Sequence, residues 1–295
     1  MEAVIREDQD KIPMLEYPEI KHLASQLQEV IPGKTIDIVS FPGMVKQFVF
    51  SEETQPVFRE RLHGKTFDHV ESCGNHLYLF TKEGAVLAIG DTGGKLLLTP
   101  SNKPIPKKFD LRLTFTDRTT LTMSVQMWGC IRAYANVADA IAHQQAVLQE
   151  ARDPLDHKVT RRNFLNWLRA WEEASKINAK KFIISRKYIT GLGNGYTQDI
   201  LWHARLHPRR KMDTLNDDEA MHLLDAIQLV TIQAIKANGR TTERDLYDQP
   251  GGYEVMMGRA TLGTPCPSCD DEIIKFSFEG GACYICPSCQ PDPRE

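Results

Sequence analysis

The sequence predicts an α+β chain of several domains: a short helix leading a β-rich domain, a helical domain, and a cysteine-bearing β-hairpin at the end. Three observations carry this. Apolar residues recur at helical spacing near the start and again after residue 160, short apolar runs broken by Gly, Pro, Asn and Asp fill the stretch between, and five of the seven cysteines fall in the last thirty residues.

Residues 1–13 carry five acidic or amide side chains and no apolar period, so they read as a flexible leader. Structure is expected from Met14. Pro18 suits a first helical turn, Glu16 and Glu19 favour its positive end, and Ile20, Leu23, Leu27, Val30 and Ile31 form one stripe that stops at Pro32-Gly33. From Lys34 to about Arg132 the runs TIDIVSF, LYLF, AVLAIG, KLLL, LRLTF and TLTMSV predict closely spaced strands of a β-sandwich or barrel. The β-rich domain is assigned to 14–134. A helical connector over 135–159 ends near Asp153-Pro154. Helical periods return with Phe164, Leu165, Trp167, Leu168 and Trp171 and later with Leu223, Leu224, Ile227, Val230 and Ala234, giving a helical domain over 160–250 and a cysteine hairpin over 251–291.

With 295 residues, 41% hydrophobic and 25% charged, the chain can build more than one core. No stretch approaches the roughly 20 apolar residues of a spanning helix, and the polar N-terminus lacks a secretory apolar segment. An intracellular protein is expected, cytoplasmic in a bacterium or nuclear in a eukaryote. Thirty-six basic against 39 acidic residues leave a net charge of −3, so any site for a polyanion must be local. One stretch qualifies. Between Leu155 and Lys211 stand thirteen Lys or Arg against four acids, an excess of nine that includes Arg209, Arg210 and Lys211. Within it Gly191-Leu-Gly193-Asn194 precedes a helix, where backbone N–H groups, the helix dipole and an amide side chain can meet a phosphate. A solvated basic face with an ordinary asparagine cap is the competing reading.

Cys266-Pro-Ser-Cys269 and Cys286-Pro-Ser-Cys289, sixteen residues apart, are two CxxC knuckles at zinc-ribbon spacing. EIIKFSF and ACYIC between them read as two strands turning at Gly280-Gly281. Four thiolates close the coordination shell, so a single Zn2+ there would be structural. Cys283 is assigned to the hairpin outside that shell.

The leading helix with its PE pair, the β-rich domain, GLGNGYTQDILWHARLHP at 191–208 and the CxxC hairpin introduced by GRATLGTPC together resemble the formamidopyrimidine-DNA glycosylase and endonuclease VIII family over about residues 14–290. The resemblance implies a β-sandwich, a helix-two-turns-helix domain and a zinc finger that grip duplex DNA bearing a damaged base or abasic site. It also implies extrusion of the damaged nucleotide by a monomeric base-excision repair enzyme. Family members attack the sugar with an N-terminal proline amine, assisted by a following glutamate. Here Leu15 stands at the proline position, and Glu16 and Glu19 fall on the two family glutamates. A leucine amide nitrogen cannot form an iminium, whereas a chain beginning at Met14 or Leu15 would offer a primary amine. The family's β-domain lysine falls at Asn75 or His76, and the hairpin arginine that holds lesion-flanking phosphates falls at Gly281. Trp128 takes an aromatic wedge position and Gln126 a polar one, while Asp91 replaces an apolar wedge. Gly193 and Asn194 match intact.

Two functions stay open on this reading. One is a DNA glycosylase, with abasic-site lyase activity through a free amine or with water activated by Glu16. The other is a non-enzymatic protein that binds damaged or abasic DNA and has lost the nucleophile.

Overall fold

The computed structural model describes residues 15–42, 55–90, 93–126, 129–150, 152–156, 159–185 and 188–294. The leader, Asp91 and Trp128 lie outside them. The chain forms two compact units, one of residues 12–149 with 237–253, the other of 150–236 with 254–295.

In the first unit, helix α1 (Tyr17–Val30) starts with Pro18 in its first turn and buries Ile20, Leu23 and Leu27, as its apolar period requires. Gly33, at φ +84°, turns the chain into β1 (Ile36–Ser40). Two antiparallel sheets follow. One has the order β1, β6 (Leu111–Phe115), β7 (Thr120–Gln126), β5 (Gly93–Thr99); the other has β2 (Phe67–Cys73), β3 (His76–Thr81), β4 (Val86–Gly90), β8 (Cys130–Tyr134). Their inward residues, among them Val39, Leu79, Ile89, Leu113, Leu121 and Ile131, join α1 in one core. This is the expected β-sandwich, and two separate sheets decide it over a barrel.

Strand β3 is buried at all six positions, although a sandwich strand normally alternates. The reason is α3 (Val137–Glu150), the expected connector helix, whose Ala140 covers Tyr78, Phe80, Val86 and Ala88 on the outer face. A second helix, α2 (Gln55–Leu62), was not legible in the sequence. It is eight residues long with two buried anchors, Phe58 and Leu62, too few to print a helical period on a Gln- and Arg-rich segment.

The second unit holds α4 (Arg161–Ala170), α5 (Ala179–Ile184), α6 (Asn194–His203), α7 (Asp217–Lys236) and the hairpin β9 (Ile274–Phe278) and β10 (Gly281–Ile285). Thr160 and Asn178 cap α4 and α5 by accepting from Asn163 N and Lys181 N. The hairpin turn falls on Glu279 (φ +50°) and Gly280 (φ +74°), one residue earlier than the Gly-Gly pair suggests. Two positive φ angles match a primed two-residue turn and leave Gly281 on the strand, opposite Phe278.

Residues 237–253 continue from α7 in sequence but pack into the first unit. Leu246 is wholly buried in the sandwich core and its carbonyl accepts from Leu98 N at 2.9 Å. The side chain of Asp245 accepts from Gln26 Nε2 at 2.8 Å, and Gln26 Oε1 accepts from Leu246 N at 3.0 Å. A single burial, with no periodic partners, explains why sequence reading groups this segment with the helices. Leu246→Ala should therefore destabilise the sandwich by about 3 kcal/mol, read as a fall in thermal midpoint. Tyr247→Ala, at an exposed neighbour, should change it little.

Candidate functional site

The start of α1 gathers charge inside the first unit. Glu16 and Glu19 are each only 3% exposed. Glu19 Oε2 accepts from Glu16 N at 3.0 Å, which places one carboxylate on the free amides of the helix start. Its other oxygen, Oε1, accepts from Arg240 N at 3.0 Å and Arg240 Nε at 3.2 Å. The Arg240 guanidinium also lies 3.4 Å from Glu16 Oε1 and 3.5 Å from Glu243 Oε1. One buried cation thus serves three buried carboxylates. Gly239 makes the approach possible, since it sits at φ +87° and a β-carbon there would lie 2.8 Å from Glu19 Cγ. Leu15, beside this cluster in sequence, is 2% exposed and belongs to the sandwich core.

Arg240 was missed by sequence reading. It stands 221 residues from Glu19, and nothing local separates a buried guanidinium from a surface one.

The other β-domain candidates are placed differently from one another. Asn75 follows Gly74 in the β2–β3 turn and is 7% exposed. His76 is 6% exposed, with its ring across Gly90, where a β-carbon would meet it at 1.9 Å, and edge-on to His143 of α3. Gln126, the last residue of β7, is exposed.

In the second unit, Gly191 (φ +79°) turns the chain into Gly193, the N-cap of α6, whose carbonyl accepts from Thr197 Oγ1 at 2.7 Å. Asn194 opens the helix, and its Oδ1 accepts from Gln198 Nε2 at 2.9 Å, fixing the amide so that Nδ2 points away from Gln198. The local cationic excess is smaller in space than in sequence. Arg161, Arg169, Arg209 and Arg210 pair with Asp225, Asp217, Asp292 and Glu219, acids beyond the counted stretch. Arg209 also stacks on Phe276 and Phe278, and Lys211 Nζ donates to Lys176 O at 3.4 Å.

Cys266, Cys269, Cys286 and Cys289 bring their four sulfurs within 4.8 Å of one another, a group able to hold a metal ion. Separations of 3.9 Å (266–289), 3.3 Å (269–286) and 3.5 Å (269–289) bracket the edge of about 3.8 Å that follows from tetrahedral bonds of about 2.3 Å. Burial pushes the Cys266 thiol up, but the Ser268 N–H and Trp202 indole N–H, each 3.4 Å from its sulfur, bring its pKa down to about 7, whereas burial pushes the Cys286 and Cys289 thiols up. Cys283 is buried and outside this group; burial pushes its thiol up.

Removing Arg240 leaves three carboxylates buried without their guanidinium. Arg240→Met should cost the first unit about 3–5 kcal/mol in urea unfolding, more than a neutral cavity of that size.

Residues 14–131 match the formamidopyrimidine-DNA glycosylase N-terminal domain and residues 151–245 its H2TH domain. The formamidopyrimidine-DNA glycosylase of Bacillus cereus is 26% identical over 284 residues, covering 94% of this chain and 99% of its own length. That of Salinispora arenicola is 29% identical, with 95% and 98% covered. Among solved structures, Lactococcus lactis Fpg in complex with DNA containing an abasic site superimposes with a TM-score of 0.82 at 22% identity, covering 94% of this chain and all of the other. The MutM (Fpg) protein of Thermus thermophilus gives 0.77 at 21%, with 94% and 99% covered. With the sandwich, the glycine loop before α6 and the four-cysteine hairpin all in place, the chain belongs to the formamidopyrimidine-DNA glycosylase family.

Proposed function

We propose that this protein binds duplex DNA carrying a damaged base or abasic site and removes the damaged base by hydrolysis, with Glu16 as general base. The observation that carries the reading is the buried Glu16 carboxylate fixed beside Arg240 at the start of α1. In the step, a water oxygen bonds to C1′ of the extruded nucleotide as the glycosidic C–N bond breaks. Glu16 takes the water proton and the base leaves with the bonding electrons. Asn194 with Gly193, Gln126 and the basic stretch supply DNA contacts in this reading, and Asn75, His76 and Trp128 are further candidates. Leu15 fills the nucleophile's position without its chemistry: in a chain that continues upstream, its nitrogen is an amide with a delocalised lone pair.

The four cysteines hold one structural Zn2+ per chain. Borderline-soft thiolate donors in a closed tetrahedral set suit zinc, and the hairpin is too small to fold on its own apolar burial.

Burial of Leu15 in the core favours a second reading, a non-enzymatic binder of damaged or abasic DNA. A borohydride trapping gel and a base-release assay separate the two. The chain extending upstream of Leu15 should release base without being trapped, and Glu16→Gln should lower release about 100-fold or more, because the amide keeps the shape and loses the proton transfer. A form beginning at Leu15 should show trapping if its amine can reach the sugar. Strong trapping by the longer form would assign the chemistry to a lysine instead, and binding without release by any form would establish the non-enzymatic reading.

Metal analysis should give one zinc per chain, and Cys269→Ala or Cys286→Ala should lose it together with the hairpin's protease resistance. A zinc-free protein purified without chelator, folded and protease-resistant, would sink the assignment.

A further inference from the structure

Helix α3 has one face committed to the sandwich and one left bare. Inward, Ala140 covers Tyr78 and Phe80, the Tyr78 hydroxyl lies 2.8 Å from His143 Nδ1, and Gln144 Nε2 donates to Glu71 Oε2 at 3.0 Å. These ties fix the helix on the sheet. Outward, Val137, Ile141 and Leu148 are 36%, 41% and 45% exposed. At about 100° per residue the three fall within about 40° of one another, so they form a single stripe about 16 Å long on the solvent side. A solvated helix face is ordinarily rich in charge. The sequence VADAIAHQQAVLQE has no Lys or Arg, and its acids are Asp139 and Glu150.

Beside the stripe lies a groove of about 620 Å³ between α3 and strand β2. Val137, Ile141 and Gln144 form its helix wall, and Asp68, His69 and Glu71 its strand wall. Its floor is apolar, since the His69 ring stacks flat on Phe80 with centroids 4.4 Å apart. Its rim is acidic. The side chains of Asp68 and Glu71 are about half exposed and hold His69 from both sides, with Asp68 Oδ2 2.9 Å from Nδ1 and Glu71 Oε1 3.7 Å from Nε2. Lys82 is the one lysine or arginine among the described residues that line the groove. Two carboxylates against one ammonium, beside a helix without cations, leave this face negative in sum.

That sign excludes a phosphate backbone as the occupant. It also disfavours a second copy of the chain, because a two-fold pair of these faces would set negative against negative. We propose that the groove between α3 and β2 is a docking surface for another protein. Its occupant is an amphipathic helix whose apolar ridge lies on Val137, Ile141 and Leu148 and whose flanking Lys or Arg side chains meet Asp68 and Glu71. A helical stripe is answered by apolar residues one turn apart, since the ridges of one helix seat between those of the next. The half-exposed carboxylates set orientation and encounter rate, and the apolar stripe supplies most of the affinity. The surface belongs to the first unit and uses none of the residues assigned above to base removal or DNA contact.

The probe is a fluorescein-labelled peptide of Leu and Lys in helical register, about five turns long, with a Leu and Glu peptide of the same register as its counterpart. Each is titrated against the full chain by anisotropy. The Lys peptide should bind and the Glu peptide should not. Ile141→Gln with Leu148→Gln should weaken the Lys peptide about tenfold through lost apolar burial. Asp68→Asn with Glu71→Gln should weaken it about threefold and flatten its salt dependence. All four positions are exposed, so both double variants should keep the wild-type thermal midpoint and the wild-type affinity for an abasic-site duplex. Failure of the Lys peptide to bind, equal binding of both peptides, or undiminished binding to the Ile141 and Leu148 variant overturns the proposal. A dimer in sedimentation that Ile141→Gln disperses would give the face to a second copy. Pelleting with phosphatidylglycerol vesicles that the same variant abolishes would give it to a membrane surface, and either result overturns the helix.

Discussion

Arg240 compensates charge that the first unit could not otherwise bury. Two glutamates at a helix start are ordinary surface residues when water solvates them, yet here both are enclosed, and an ionised carboxylate in that setting needs a cation and hydrogen-bond donors. The guanidinium supplies both to Glu19 and reaches Glu16 and Glu243. Everything near the site follows from this clasp. It requires Gly239 at positive φ, it draws residues 237–253 onto the sandwich, and it holds Glu16 in one place while Leu15 anchors the preceding residue in the core. A carboxylate so fixed has lost most of its side-chain freedom.

In the second unit the organising element is α6. Its amino end carries Asn194 and the glycine turn; at its carboxyl end Trp202 donates to Cys266, one of the four clustered thiols. In the middle, Asp199 is wholly buried and accepts from Met256 N and Met257 N, fixing the segment that leads into the first CxxC knuckle. Gln290 closes the other side, its Nε2 donating to Leu206 O while its side-chain Oε1 accepts from Cys286 N. A hairpin this small has little core of its own, so its position is set by these polar links and by the cysteine cluster. Lys180 adds a direct tie, since the carbonyls it holds belong to the two strands flanking the turn.

The charge pattern shows how a linear count misleads. Thirteen cations crowd residues 155–211, but four arginines find acids outside that window, and one lysine is withdrawn from the surface altogether. What remains is a weaker general field, and one lysine held by two backbone carbonyls of the hairpin.

Patterns with a period or a fixed spacing were legible from the sequence: the stripe of α1, the β runs from TIDIVSF to TLTMSV, the long α7, and the two CxxC knuckles, because each is written by residues within a turn, a strand or a hairpin of one another. The same locality made Glu16, Glu19 and Asn194 readable as helix-start residues. Tertiary structure alone decided which of these local features carry charge into the interior. Arg240 meets Glu19 across 221 residues, Lys180 meets the hairpin carbonyls across about a hundred, and Leu246 leaves its helical neighbours for the sandwich. None of these contacts has a sequence period. Each arises because burial removes water from a charged or apolar group and the compensating partner need only be near in space.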